Sequence, residues 1–260
     1  MPLTDALKHL TLRFLPEALL QPLRKAHYAR KVLHAADEPE MGIIPHLLPF
    51  GGCALDLGAN FGMYTRLFAE TVGRDGQVHA VEPVPSTFDV LESNVQNLGL
   101  SNVIVHNLAV SEAKRTVTMS VPQYARGGDN PYEARVTDHA DSSAGRTVRV
   151  PAFTLDELFG HLGEIDFVKC DVEGHELSVI RGASEILRIH RPAWLIEVSG
   201  NPDVVGSSAA ELVERMRQFG YRPYNLDDGR ARPRATGDRS VNYFFLRPEH
   251  VRWLKSGIWL

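Results

Sequence analysis

Short continuous apolar runs alternate along the chain with stretches whose apolar residues recur every three or four positions, as strands and helices do in turn. The first run, Cys53-Ala54-Leu55, meets Asp56, then Gly58 and Gly62 bracketing Ala59-Asn60-Phe61, and feeds a helical stretch over 63–71. Gln77 to Val81 predicts a second strand, ending at Glu82-Pro83. Ser86 to Leu98 predicts a helix with Phe88, Leu91, Val95 and Leu98 on one face and Gly99 as its stop. Val103 to His106 is a third strand, ending at Asn107-Leu108-Ala109. Further on, Ile165 to Cys170 is a strand, 176–189 a helix, Trp194 to Val198 a strand and 209–219 a helix stopped by Gly220. Tyr221 to Leu226 and Val241 to Leu246 predict an antiparallel hairpin at the sheet edge. Strand and helix alternating at these intervals argue for right-handed crossovers and a mostly parallel sheet with helices on both faces.

Two segments break the alternation. Residues 1–48 predict a peripheral helical arm, with Leu3, Leu7, Leu10 and Phe14 at helical spacing and breaks at Pro16 and Pro22. Within the body, 49–260, an insertion spans about 112–153. Thr116 to Val121 and Val148 to Phe153 predict two strands that pair with each other, joined by a polar, Gly-rich, aperiodic loop over 122–147. A loop of that length inside a compact domain points to function, with Tyr124 and Tyr132 as lid residues. Thr154 and Glu157 form a capping box that restarts the helical pattern.

Composition narrows the class. With 260 residues, 43% hydrophobic and 23% charged, the chain fits one large globular domain. Its net charge of −4 gives no reason to expect nucleic acid. No run of 18 apolar residues exists, so no transmembrane segment is expected. Asp5, Lys8 and Arg13 among the first leucines are wrong for a secretory signal, and the expected location is cytoplasmic. The basic amphipathic arm suits packing on its own core or a homodimer partner, with a membrane surface as the other option; Trp253, Ile258 and Trp259 are a second candidate contact. Cys53 and Cys170 lie in apolar runs, as buried reduced thiols do.

The chemistry gathers where strands end. Asp56, Glu82, Asn107, Asp171 and Glu197 close five strands of a sheet whose ligands lie across its carboxyl ends. Glu82 lies 20 residues after Gly62, where an acid accepts hydrogen bonds from ribose hydroxyls. The ribose belongs to NAD or to S-adenosylmethionine. A dinucleotide turn needs G-x-G-x-x-G, but Asn60 and Met63 stand where its second and third glycines belong, and Asp56 repels a pyrophosphate while suiting an ammonium and a sulfonium. The turn therefore favours S-adenosylmethionine; an NAD-dependent oxidoreductase and a non-catalytic cofactor scaffold are the alternatives. For the reaction itself, Asp171 sits beside the opening strand, His175 is a candidate base or a solvated first-turn residue, and Glu173 a catalytic acid or a cap of its own helix. Asp171 and Glu197 could instead hold a divalent cation such as Mg. Arg230, Arg232, Arg234 and Arg239 form a basic loop, either solvated or answering an acidic acceptor.

The segments LDLGANFGMYT, VEPVPSTFDVLESN, NLAVSE, LDEL, IDFVKCDVEGHELSVIRGA and LIEV, in this order, resemble the FkbM-type S-adenosylmethionine-dependent methyltransferases over about 51–246. The resemblance implies a class I, Rossmann-like methyltransferase fold with a seven-stranded sheet, and methyl transfer to a hydroxyl of a sugar or natural product as small-molecule acceptor. By that resemblance Asp56, Gly58, Ala59, Asn60, Gly62 and Tyr64 surround the methionine part, Glu82 and Pro83 hold the ribose, and Asn107 and Ala109 border the adenine.

Overall fold

The computed structural model describes residues 25–26, 28–32, 38–122, 134–137 and 145–256. The expected arm over 1–24, the lid residues Tyr124 and Tyr132, and Ile258 and Trp259 lie outside the described residues. The body alternates β1 (Cys53–Leu57), α1 (Met63–Val72), β2 (Gln77–Val81), α2 (Pro85–Asn97) and β3 (Val103–His106). The insertion supplies β4 (Ala109–Val110), β5 (Arg115–Pro122), β6 (Arg135–Thr137) and β7 (Gly145–Phe153). The alternation resumes with α3 (Leu155–Phe159), β8 (Phe167–Cys170), α4 (Glu176–Arg181), β9 (Ala193–Glu197) and α5 (Ser208–Gln218). It closes with β10 (Arg222–Asp227), β11 (Arg230–Pro233), β12 (Asn242–Leu246) and α6 (Pro248–Ser256).

The main sheet has the order β11-β10-β12-β9-β8-β1-β2-β3, with β3, β2, β1, β8 and β9 parallel. This is the α/β architecture expected of a class I methyltransferase, with one strand more than the seven expected. The expected antiparallel pairing of β10 with β12 is observed, but not at the edge: β12 is inserted between β9 and β10 and pairs with both. Its run Tyr243 to Leu246 is buried on both faces, which suits an interior strand. The edge falls instead to β11, drawn from the Arg-rich loop, where charged side chains blunt an exposed ladder.

Alternation along the strands divides the core into two layers. Leu55, Leu57, Val168, Trp194, Ile196 and Phe245 face α4 and α5. Ala54, Phe167, Leu195 and Phe244 face α1 and two 3-10 turns, Pro39–Gly42 and Ile44–His46. The expected peripheral helix therefore gives way over 39–48 to tight turns whose Ile43, Ile44, Leu47 and Leu48 are fully buried; Pro39 and Pro45 favour a tight turn over a long helix here. The helix expected over 176–189 also divides. Gly182 ends α4, where a Cβ would meet the Ser111 carbonyl oxygen at 2.2 Å, and a π-type turn covers Ile186–His190. The expected pairing within the insertion is observed: β5 and β7 align antiparallel over their whole lengths, and β4, β7, β5 and β6 make a second sheet.

Candidate functional site

The chain runs from β1 to β2 and β3 on one side and returns to β8 and β9 on the other. The strand order thus reverses between β1 and β8, the place where open α/β sheets hold ligands. Gly58 makes the turn there with φ +77°, and a Cβ on it would lie 1.8 Å from the Asp171 carbonyl oxygen. Only a glycine lets the two strand ends pass so closely. Gly62, at φ +96°, then caps α1.

Glu82 governs the near side of this turn. Its carboxylate accepts from the backbone N–H of Asn60 at 3.0 Å and of Val84 at 2.9 Å. Asn60 itself takes a left-handed φ of +53°, so Glu82 holds a strained corner in place. Burial pushes the Glu82 carboxyl up to about 7, against the pull of those two donors, with Asp56 and Asp171 adding to the rise. Asn107 spends its side-chain amide on the carbonyls of Glu82 and Pro83, at 2.9 and 3.2 Å, bracing the acid's loop.

The far side is built around a cation that strand periodicity alone did not single out. Lys169 is the register partner of Asp56 on the neighbouring strand and is only 7% exposed. Its ammonium lies 2.9 Å from Asp171 Oδ2 and 4.7 Å from the centre of the Tyr64 ring. Burial alone would lower its pKa, but the carboxylates of Asp171, Asp56 and Glu38 outweigh that and raise it. Burial likewise raises the Asp171 carboxyl, yet Lys169 and a hydrogen bond from Glu197 hold it below its ordinary range. Burial and the neighbouring Asp171 charge push Glu197 up to about 8, so near neutrality it is the protonated donor of that pair. Asp56, fully buried, accepts from Thr65 Oγ1 at 2.6 Å through one oxygen, and its other oxygen has no partner among the described residues. Burial raises its carboxyl as well. Tyr64 donates to Glu38 at 2.5 Å.

After β8 the chain turns through Glu173, at φ +53°, and Gly174. Glu176 caps this turn, accepting from Val172 N at 3.2 Å and Gly174 N at 2.9 Å. That corrects the expectation that Glu173 caps the helix: Glu173 points instead toward Arg135 of β6, 3.8 Å away. His175 Nε2 meets the buried Ser111 hydroxyl at 3.0 Å.

Between the two sides lies a cleft open to solvent. Gly58, Asn60, Glu82, Pro83, Ala109, Asp171, Glu173 and His175 of the expected site line it. Asp56, Ala59, Gly62, Tyr64, Asn107 and Glu197 are not among its lining residues; they stand behind it as support. The second sheet adds Met119, Ala134 and Val136 as an apolar wall. Sequence reasoning missed Lys169, Glu176 and Ser111, although a lysine inside the run Phe167-Val168-Lys169-Cys170 is a signal in itself, since buried lysines need partners.

The donor set does not fit the expected divalent cation at Asp171 and Glu197. Asp171 is committed to Lys169, Glu197 shares a proton with it, and no group of three His, Cys, Asp or Glu among the described residues is arranged to hold a metal. The Arg-rich segment is also internally engaged: Arg232 pairs with Asp227 and Asp238, and Arg234 with Asp203 at 2.7 Å. Neither thiol is a nucleophile, because burial pushes Cys53 up to about 12 and Cys170 well above its ordinary value.

The chain is similar to several known proteins. Methyltransferase 1 of Beauveria bassiana is 24% identical over 145 residues, covering 50% of this chain and 58% of that protein. Hexuronic acid methyltransferase AglP of Haloferax volcanii is 28% identical over 135 residues, covering 51% of this chain and 50% of its own. The chain thus spans about half the length of these curated relatives. A crystal structure of an FkbM methyltransferase from Methylobacillus flagellatus aligns with 86% of this chain and 59% of its own, at 16% identity and a TM-score of 0.49. The methyltransferase FkbM domain itself matches residues 56–223, well over half of the chain and all of the cavity's floor. The chain therefore belongs to the FkbM methyltransferase family.

Proposed function

We propose that the chain binds S-adenosylmethionine in the cavity between Glu82 and Asp171 and catalyses methyl transfer to a hydroxyl of a sugar or natural-product acceptor. The observation that carries this reading is the pairing of two acids of different character across one turn: Glu82 beside Asn60, and an ionised Asp171 backed by Lys169. Glu82 suits the ribose hydroxyls, and Asp171 suits a cationic methionine moiety. Gly58, Asn60 and Pro83 complete the polar floor, while Ala109, Met119 and Val136 offer an apolar slot for a purine. Asp56, with an orphaned buried oxygen behind the turn, adds negative potential there.

S-adenosylmethionine, when bound, supplies an electrophilic methyl on its sulfonium. The protein's own work is to hold the acceptor oxygen in line with that methyl and to accept the hydroxyl proton. His175 lines the cavity and is braced by Ser111, which suits it to take that proton; Asp171 and Glu173 flank it. The relative named for hexuronic acid supports a sugar-derived acceptor.

Thermal-shift titration tests the donor. With S-adenosylhomocysteine at 100 times its Kd, the protein gains about 2.7 kcal/mol. Stabilisation by NAD(H) and none by S-adenosylhomocysteine would overturn the proposal in favour of an oxidoreductase.

A further inference from the structure

A second cavity, of about 580 Å³, opens beside the turn that carries Glu173 and His175. Its wall combines Arg135 of β6, Glu173 and His175, Ser199 after β9, and Ser240 before β12. Val136, Glu173 and His175 face both cavities. A group held in the second cavity therefore meets a ligand in the first across the residues the two share. Adjoining sites are what a transfer reaction needs, provided donor and acceptor come into contact beside these residues.

The chemistry of the second wall points to a kind of acceptor. Arg135 is the only formal cation among its described lining residues, and Glu173 the only formal anion. The two approach no closer than 3.8 Å, and the Arg135 side chain is 66% exposed. So open a pair contributes little in water, and Glu173 is not engaging the guanidinium in two parallel hydrogen bonds. A ligand carboxylate offers that bidentate geometry and exchanges readily for the loose contact. Around Arg135 the wall is short and polar. Ser240 donates its hydroxyl to the Asn242 carbonyl at 2.7 Å and keeps lone pairs as acceptors, and Gly174 and Gly200 present backbone without bulk. Hydroxyls, peptide groups and one exposed guanidinium match a hydroxylated ring that carries an acid.

We propose that the second cavity is the acceptor subsite and that Arg135 selects hydroxylated acceptors bearing a carboxylate, uronic acids being the nearest chemical class. This rests on the reading of the first cavity as the donor site.

The experiment uses the full chain saturated with S-adenosylhomocysteine and titrates two probes of equal size, methyl β-D-glucuronide and its neutral twin methyl β-D-glucoside. The expected result is at least tenfold tighter binding of the glucuronide, which corresponds to about 1.4 kcal/mol. Arg135→Gln removes that preference while S-adenosylhomocysteine binds as before, which also shows the variant to be folded. Equal affinity for the two sugars, binding of neither, or a preference that survives in Arg135→Gln would each overturn the proposal. Failure of S-adenosylhomocysteine to bind the wild-type chain is a separate result and would overturn the donor-site reading itself.

Discussion

Replacing Lys169 by methionine keeps the length of the side chain and removes its charge. The variant leaves Asp171 and the fully buried Asp56 without the cation that both lean on. Removing one partner of a buried pair costs about 3–5 kcal/mol. Here the Lys169 side chain is 8% exposed but that of Asp171 is 31% exposed, so the lower end applies, about 3 kcal/mol. At about 2.1 cal/mol/K of unfolding entropy per residue, a chain of 260 residues loses about 5–6 °C of Tm for that change. The pH dependence has a fixed sign. Against burial, Lys169 and Glu197 hold the folded-state pKa of Asp171 below its unfolded value, so its contribution is present above the unfolded pKa and fades as pH falls through the folded one. The folded-state pKa of Lys169, set by burial on one side and by Asp171 and Asp56 on the other, is raised; its contribution is present below the unfolded pKa and fades only as pH rises through the folded one. The gap in Tm between wild type and Lys169→Met is therefore widest near neutrality and closes toward acid. Thermal unfolding of wild type, Lys169→Met, Asp171→Asn and the double variant between pH 4 and 8 measures this, and the double variant loses less than the sum of the singles. A gap that stays constant across that range, or strictly additive losses, would refute the reasoning.

Further outcomes follow from the same geometry. Gly58→Ala, whose new Cβ would strike a backbone oxygen from a left-handed φ, loses about 3 kcal/mol or more, the clash adding to about 1–3 kcal/mol of backbone strain; chemical denaturation with a wild-type midpoint would contradict it. Glu197→Gln keeps a donor for Asp171 and changes stability by less than about 1 kcal/mol near pH 4, where the wild-type carboxyl is largely protonated in both states. Because burial and Asp171 raise the folded-state pKa of Glu197 to about 8, the wild type loses stability relative to Glu197→Gln as pH rises from the ordinary carboxyl range up to that value and loses no more above it, which unfolding at pH 4 and 8 detects. Burial likewise raises Glu82 to about 7, so affinity for S-adenosylhomocysteine grows between pH 6 and 8 in the wild type and stays flat in Glu82→Gln; calorimetry at the two pH values decides. A chelator leaves methyl transfer unchanged, as the commitment of Asp171 to Lys169 requires, and an inhibition reversed by added Mg would show otherwise.

Most of the fold was legible because its determinants are local. Period-two and period-3.6 patterns place β1, β2, β8, β9, α1, α2 and α5 within a residue or two of where they lie. The position of β12 was not legible, because hairpin adjacency along the chain does not say which strand reaches the central sheet; only the burial of Tyr243 to Leu246 on both faces decides it. At the site, the strand-end acids are readable as a set, since topology aligns strand ends without any knowledge of side chains. Their division of labour is not. Asp56 and Glu197 differ from Asp171 and Glu82 in whether they face the cavity or support it, and that depends on register and on Lys169, one strand away. The role of Glu176 was hidden for a related reason: a turn held by φ +53° and +92° brings its carboxylate back onto residues that precede it.

The second sheet has a consequence for how such enzymes diversify. Its four strands leave the main sheet after β3, at the edge, and the chain returns to it at β8, in the centre beside β1. Along β6, Val136 touches both cavities while Arg135 touches only the second. The hairpin is thus a cassette with one surface toward each cavity. Grafting it between relatives, with Met119, Ala134 and Val136 retained, changes acceptor choice while leaving the donor apparatus intact.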